Sequence, residues 1–516
     1  MKKLVFYILM IGLGCISCYE DESNKEIQMV KPIIVDMGGM PSEFVVYQFG
    51  YLHVVPVIYK EGLGDENLFF EWRLKGFGAN RVLSTAMVLD ALIYEEQQAD
   101  PYTLILTVTD TLTRIKEIRS WELSVTSQLS TGLMVADTEE GETGDLSLIT
   151  AFNFSNLNDD KQDTIYRHIY SLGNGERIAG QIVSMQNTNY ETERATTVLS
   201  ERNLILIDPA SYIKKAENQD FFFLAVEHEM KPMEMKFYGN DAAEYLLESG
   251  LLYYRYIRLG AQKFGYPYSM EDAGEYAISD FAFFASNASW EYNGVAYDSL
   301  NSRFLGLPDN IPYGNLSRLK SDGTAYDPGN VGNKRCLHLG TGKDGKIQAV
   351  LQDRETGACF IYGMKAILRE KKVEVMKVID LSKCLRIREA KSFCFSPSED
   401  VMYYTVGNEI YAALLTSEQP ESFLRFDTEL TEDQITSLWM WTGAGRIYYT
   451  PGEDGKDRVM NAASRMLVIT TWNGVEGKVI TLPIETLGAG LITKDRKYHK
   501  VYRGFDRITA IAPQNK

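Results

Sequence analysis

Ser392-Phe393-Cys394-Phe395 leads to Met402-Tyr403-Tyr404-Thr405, and Ser437-Leu438-Trp439-Met440 leads to Ile447-Tyr448-Tyr449-Thr450. Both halves of the match are offset by 45 residues. Each copy reads as strand, turn, strand, because short runs of β-branched and aromatic residues are bounded by turn formers. A further strand follows each copy, Glu409 to Leu414 and Met466 to Thr471, and Lys478 to Ile484 reads as the outer strand of the second unit. A period of roughly 40 to 50 residues with four strands per unit is the signature of a β-propeller blade.

Working outward, residues 128–516 have room for about seven or eight such units. The final segment, Ile508 to Pro513, resembles the opening strand Ile435 to Leu438 but has no room for partners after it. An open ring would leave strand edges unpaired. The last strand is therefore expected to pair with Gly132 to Ala136. A large sandwich or two-domain β protein is the alternative architecture. Ser155 to Gly260 fits the unit less well, and Asp241 to Leu247 reads as a short helix within an insertion.

Upstream, Glu43 to Tyr47, Leu52 to Val57, Leu68 to Leu74 and Tyr102 to Asp110 are strand-like, and threonines alternate with apolar residues in the last. Such alternation puts one face in a core and the other in water. Strands at this density over about 100 residues match an immunoglobulin-like sandwich. The predicted class is all-β: a sandwich over 31–127, then a propeller-like domain over 128–516.

The first residues predict the compartment. Met1-Lys2-Lys3 is basic, Leu4 to Leu13 is a mostly apolar run too short to span a bilayer, and small residues lead into Cys18. Residues 1–17 read as a signal peptide and 18–30 as an acidic flexible tether. The segment resembles a bacterial lipoprotein signal, which implies lipidation of Cys18, with Cys15 the competing cysteine. Glu20-Asp21-Glu22 looks like the surface-export signal of Bacteroidetes lipoproteins, which implies an outer-membrane anchor facing the extracellular side.

The Phe70-Glu71-Trp72 and Tyr102 to Asp110 strands resemble a PKD-like domain, although Arg73-Leu74-Lys75-Gly76-Phe77-Gly78 stands where that family has Gly-Asp-Gly. Taken whole, the chain resembles the PKD-like family lipoproteins of Bacteroidetes. That resemblance implies a non-catalytic surface binding or scaffold protein beside SusC/SusD-type importers, capturing a glycan or peptide. The alternative is a propeller-type carbohydrate-active enzyme, a glycoside hydrolase or lyase.

Composition narrows the partners. With Lys2 and Lys3 removed, the 53 basic residues become 51 against 70 acidic ones, a net charge of about −19. Such a surface disfavours nucleic acid and anionic lipid. His228-Glu229-Met230 lacks the second histidine of a zinc protease, and Pro232 would break its helix. Gly340 to Lys346 matches part of a phosphate loop, but Ile347 replaces the Ser or Thr that binds magnesium, so it reads as a turn between strands. Asn158 to Asp163 and Gly452 to Asp457 are acidic turns without the EF-hand pattern. No cofactor, metal site or catalytic residue is predicted. Cys336, Cys359, Cys384 and Cys394 are equally open to disulfide pairing and to core packing. Trp439 and Trp441, two apart on one strand, are expected to share a core-facing side. Trp290, Tyr292 and Tyr297, in a stretch with Gly, Asn and Ser, are the candidates to stack on a ligand, with core packing the competing role.

Overall fold

The computed structural model describes residues 31–36, 40–60 and 67–514, apart from 128, 130, 140, 157–162, 191–192, 240–241, 258–262, 285–291, 310–313, 368, 371 and 450–456. Cys15, Cys18, the acidic tether and Trp290 lie outside the described residues. The chain divides into two compact units, Met1–Thr126 and Ser127–Lys516.

The first unit is a β-sandwich. Glu43–Tyr47, Lys116–Thr126, Tyr102–Asp110, Leu68–Gly76 and Ala79–Ser84 form one sheet in that spatial order, with the first pair parallel. Gly50–Val54 pairs with Leu89–Ile93, and Ile34–Asp36 with Val57–Tyr59. The alternation in Tyr102–Asp110 works as read: Leu104, Leu106 and Val108 are fully buried, while the threonines take the other face. Trp72 stacks on Trp121 at 5.8 Å, and both pack with Leu52, Leu89 and Ile93 from the opposite layer.

The second unit is a ring of sheets, antiparallel except where Ser321–Asp322 pairs parallel with Val373–Val375 in the fifth. Besides one separate two-stranded hairpin, the described residues hold seven, taken here in chain order. The first comprises Gly132–Thr138, Thr143–Thr150 and Thr164–Tyr166, joined by Arg507–Gln514 from the end of the chain. The second is built on Ile182–Tyr190, the third on Pro232–Tyr238, the fourth on Ile278–Phe283, the fifth on Lys334–Thr341, the sixth on Phe393–Phe395 and the seventh on Gln434–Met440. Apolar clusters lie between successive sheets. Leu199, Leu246 and Phe264 join the second to the third; Tyr245, Phe281 and Leu305 join the third to the fourth. Val295 and Ala349 join the fourth to the fifth, Ile361 and Tyr404 the fifth to the sixth, and Tyr403 and Ile469 the sixth to the seventh. Val468, Val135 and Ile511 join the seventh back to the first. The terminal strand Arg507–Gln514 of the first sheet packs on Ile182–Tyr190 of the second, which completes a circular series of interfaces and makes the fold propeller-like. The expected closure is present: Leu133 pairs with Pro513, Val135 with Ile511 and Ala136 with Ala510.

The structure corrects four local readings. In the sixth sheet Phe395 pairs with Met402 and Cys394 with Tyr403, as the repeat implies. In the seventh, Trp439 pairs with Val468 and Met440 with Leu467, so the true second strand is Met466–Trp472. Ile447 belongs to an inserted hairpin, Arg446–Tyr449 with Arg458–Asn461. Consequently Gly477–Thr486 is the third strand and Lys500–Phe505 lies outside it. The helix read over Asp241 to Leu247 is replaced, within the described residues, by a strand: Ala243–Glu248 is the central, wholly buried strand of the third sheet. Its run of apolar residues has no helical partner surface, whereas both its edges are hydrogen-bonded. Ser155 to Gly260 accordingly contains regular sheets rather than a mere insertion.

Two open questions are decided. Gly340 to Lys346 ends a strand and makes a hairpin turn over 342–346, closed by Thr341 paired to Ile347. The four cysteines are free thiols. No described helix is long and apolar enough to cross a membrane.

Candidate functional site

The first strands of the third to seventh sheets surround a cavity of about 820 Å³. Alternation supplies its walls. In Pro232–Tyr238, Met235 enters the core while Glu234 and Lys236 face the cavity. Phe283, His338, Phe395, Trp439 and Met440 complete the lining together with polar Ser392, Thr341 and Thr442. Register shifts fall between Pro232 and Glu234, Ile278 and Asp280, Cys336 and His338, and Ile435 and Ser437. Bulges of this kind re-aim side chains, and all four occur beside residues of the cavity or its charged cluster.

The charged cluster ties three sheets together. Lys236 Nζ lies 2.9 Å from Glu234 Oε2 and 3.4 Å from Asp280 Oδ1, and donates to the Phe281 carbonyl. The ammonium also sits 4.5 Å from the Phe281 ring centroid. Asp280 Oδ2 accepts the Leu339 N–H at 2.7 Å. Burial pushes the Glu234 carboxyl above its ordinary range, against the opposing pull of Lys236. Lys236 is held above the usual lysine range: burial works against it, but Glu234 and Asp280 outweigh that. His338 is stacked against Phe395, with ring centroids 5.6 Å apart. Burial lowers its basicity more than Asp280 raises it, so the imidazole is neutral at pH 7. Gly340 permits this packing, since a Cβ there would stand 2.7 Å from His338 Nε2. Cys336 nearby is a thiol, not a thiolate, because burial drives its pKa far up.

The chemistry follows. The lysine is pinned by two carboxylates, the thiol is protonated and the imidazole is neutral. No group of His, Cys, Asp and Glu among the described residues could hold a metal ion. What remains is a polar floor beneath aromatic and apolar walls, the usual composition of a ligand pocket.

Trp439 is the residue that the sequence reading misplaced. It is 43% exposed, whereas Trp441 is 4% exposed and packs against Phe154 in the core. The strand ends at Met440, so the two tryptophans do not share a face. Neighbouring Leu438, 5% exposed, takes the core side and turns Trp439 to the cavity. The expected ligand aromatics fare differently. Tyr292 and Tyr297 are 1% and 0% exposed. The Tyr292 hydroxyl accepts the Lys320 N–H and the Tyr297 hydroxyl donates to the Lys334 carbonyl. Both rings are core, which removes them as stacking surfaces. Their strand, Tyr292–Asp298, is the second of its sheet and is covered on both faces. Lys236, Asp280 and His338 carried no motif; the strand alternation of Glu234 and Lys236 about Met235 was the one available signal.

Among solved structures, the chain is similar to a quinonprotein alcohol dehydrogenase-like protein from Bacteroides thetaiotaomicron, at 13% identity and TM-score 0.47, covering 94% of this chain and 99% of that one. It is also similar to the dihydro-heme d1 dehydrogenase NirN, at 10% identity and TM-score 0.36, covering 86% and 75%. A third similarity is to AztD from Citrobacter koseri, at 9% identity and TM-score 0.36, covering 86% and 98%. No curated protein matches. Residues 18–181 match the model of the PKD-like family, a stretch that runs through the sandwich and the first part of the ring's first sheet.

Proposed function

We propose that this chain is a lipid-anchored protein of the outer-membrane surface that binds a glycan or peptide in the propeller cavity without turning it over, in the service of a SusC/SusD-type importer. The carrying observation is Trp439, 43% exposed on the wall of a cavity of about 820 Å³. An exposed indole costs the protein apolar contact with water and supplies a flat stacking face. The ion-paired Lys236, the neutral His338 and the protonated Cys336 support binding over catalysis. The anchor rests on the Cys18 segment and the importer on family resemblance.

The enzyme reading, a propeller-type glycoside hydrolase or lyase, rests on Glu234. Its carboxyl is raised by burial, as a general acid requires. Lys236, ion-paired to both Glu234 and Asp280, engages the two carboxylates such a reaction would need.

The test is equilibrium binding of the full chain, in detergent, to panels of neutral glycans and oligopeptides, with product analysis on the same samples. Binding without product is expected, and Trp439→Ala should weaken it about tenfold, the equivalent of about 1.4 kcal/mol. Turnover that is lost in Glu234→Gln would establish the enzyme instead.

A further inference from the structure

The ring is closed by one strand, Gly132–Thr138, which pairs with Thr143–Thr150 on one side and with the terminal Arg507–Gln514 on the other. On that strand Asp137 stands directly opposite Asp145 in the register. The two are 2% and 0% exposed. Like charges placed opposite one another in a sheet repel, and burial removes the water that would screen them. The ladder to the terminal strand is also broken here, with a register shift between Ala136 and Asp137.

Charged groups among the described residues surround the pair. Asp145 Oδ1 accepts N–H groups from Leu146 at 2.8 Å and Ser171 at 3.2 Å. Its Oδ2 makes no hydrogen bond and looks toward His168 Nδ1 at 3.6 Å and Arg177 Nε at 3.8 Å. Arg177 is shared with Glu139, 3.4 Å away. Asp137 Oδ2 accepts the Asp506 N–H at 3.1 Å, with the charges of Asp506, Asp145 and His168 around it. Among the described residues no cation forms an ion pair with Asp137. His168 is held over Asp145 in the left-handed region, at φ 51°, a conformation that costs a residue with a Cβ.

We propose that this closure is a proton-sensitive seam: it holds most tightly while Asp137 is protonated and His168 is cationic, and it loosens at its Asp137 end as those protons leave. The charge arithmetic explains the direction. With both protons bound, one carboxylate, Asp145, faces two cations. With both lost, two buried carboxylates face Arg177 alone.

Burial pushes Asp137 up to about 6, and the Asp506 and Asp145 charges add to it. The Asp145 carboxylate raises His168 above the ordinary imidazole value. In both cases the folded seam holds the proton more strongly than the unfolded chain does. Seam stability therefore falls as pH climbs from about 4 through about 6 for Asp137, and continues to fall beyond about 6.5 as His168 discharges. The strand that loosens, Arg507–Gln514, is the innermost of the first sheet and packs beside Ile182–Tyr190, so the change would be felt inside the ring.

Hydrogen exchange by mass spectrometry on the full chain tests this at pH 5.5 and pH 8, with rates corrected for intrinsic chemical exchange. Amides of 506–509 should open about tenfold more at pH 8, while those of Tyr102–Asp110 serve as the unchanged reference. Asp137→Asn, which keeps the shape and removes the charge, should flatten that difference to about twofold or less. His168→Gln should raise opening at pH 5.5 and so shrink the difference from the other side; it carries the test if Asp137→Asn does not fold. A wild-type seam equally protected at both pH values, or variants that keep the full wild-type difference, would overturn the proposal.

Discussion

The sixth and seventh sheets start alike and then diverge. Cys394 and Trp439, 45 residues apart, occupy matching positions on their first strands. The sixth sheet crosses to its second strand through residues 396–400, and Tyr403 and Tyr404 become fully buried core. The seventh takes residues 441–465 to make the same crossing. Its Tyr-Tyr pair rides on the inserted hairpin, where Tyr448 stacks on Phe152 of the first sheet at 5.2 Å and Arg446 lies over the same ring. Gly445, at φ 135°, lets the hairpin approach so closely that a Cβ would stand 2.0 Å from the Asn153 carbonyl oxygen. Tyr403 thus builds the core of the sixth sheet, while its counterpart Tyr448 reaches across to the first. Similar sequence at a fixed offset specifies strand propensity, not the partner the strand will find.

Three substitutions probe that difference by stability, read as urea midpoints. The largest effect belongs to Lys478, whose ammonium reaches Asp433 at 2.8 and 2.9 Å with both side chains under a tenth exposed. Lys478→Met leaves a buried carboxylate alone and should cost about 3–5 kcal/mol, most of it recovered by adding Asp433→Asn. A loss below about 1 kcal/mol would mean that the pair is solvated and the seventh sheet looser than drawn. Next, Ile469→Ala removes a fully buried side chain from the strand assigned as second in the seventh sheet and should cost about 2–4 kcal/mol. The smallest effect is expected at Val459, 49% exposed on the hairpin, where Ala should change stability by about 0.5 kcal/mol or less. If Val459 proved as costly as Ile469, the hairpin would have to be counted as part of the sheet.

The contrast between Trp439 and Tyr292 shows where the ligand surface was hidden. Both are large aromatics on strands. Tyr292 lies in a second strand, flanked by neighbours on both edges and covered on both faces. Trp439 lies in a first strand, beside the central cavity. Nothing in the local sequence distinguishes a first from a second strand once an insertion has shifted the count. Glu234, Lys236 and Asp280 carried no motif either, because the cluster draws on two sheets and forms only when those sheets pack together.

The sequence by itself determined the all-β class, the change of architecture near residue 127, and the pairing of the last strand with Gly132 to Ala136. These rest on periodicity and on the need to cover strand edges, which short segments express directly. Tertiary structure alone decided which strand Tyr448 joined, which tryptophan faced the cavity, and that Asp137 would be buried opposite Asp145. Those outcomes depend on contacts between residues far apart in the chain, whose energies no local window contains.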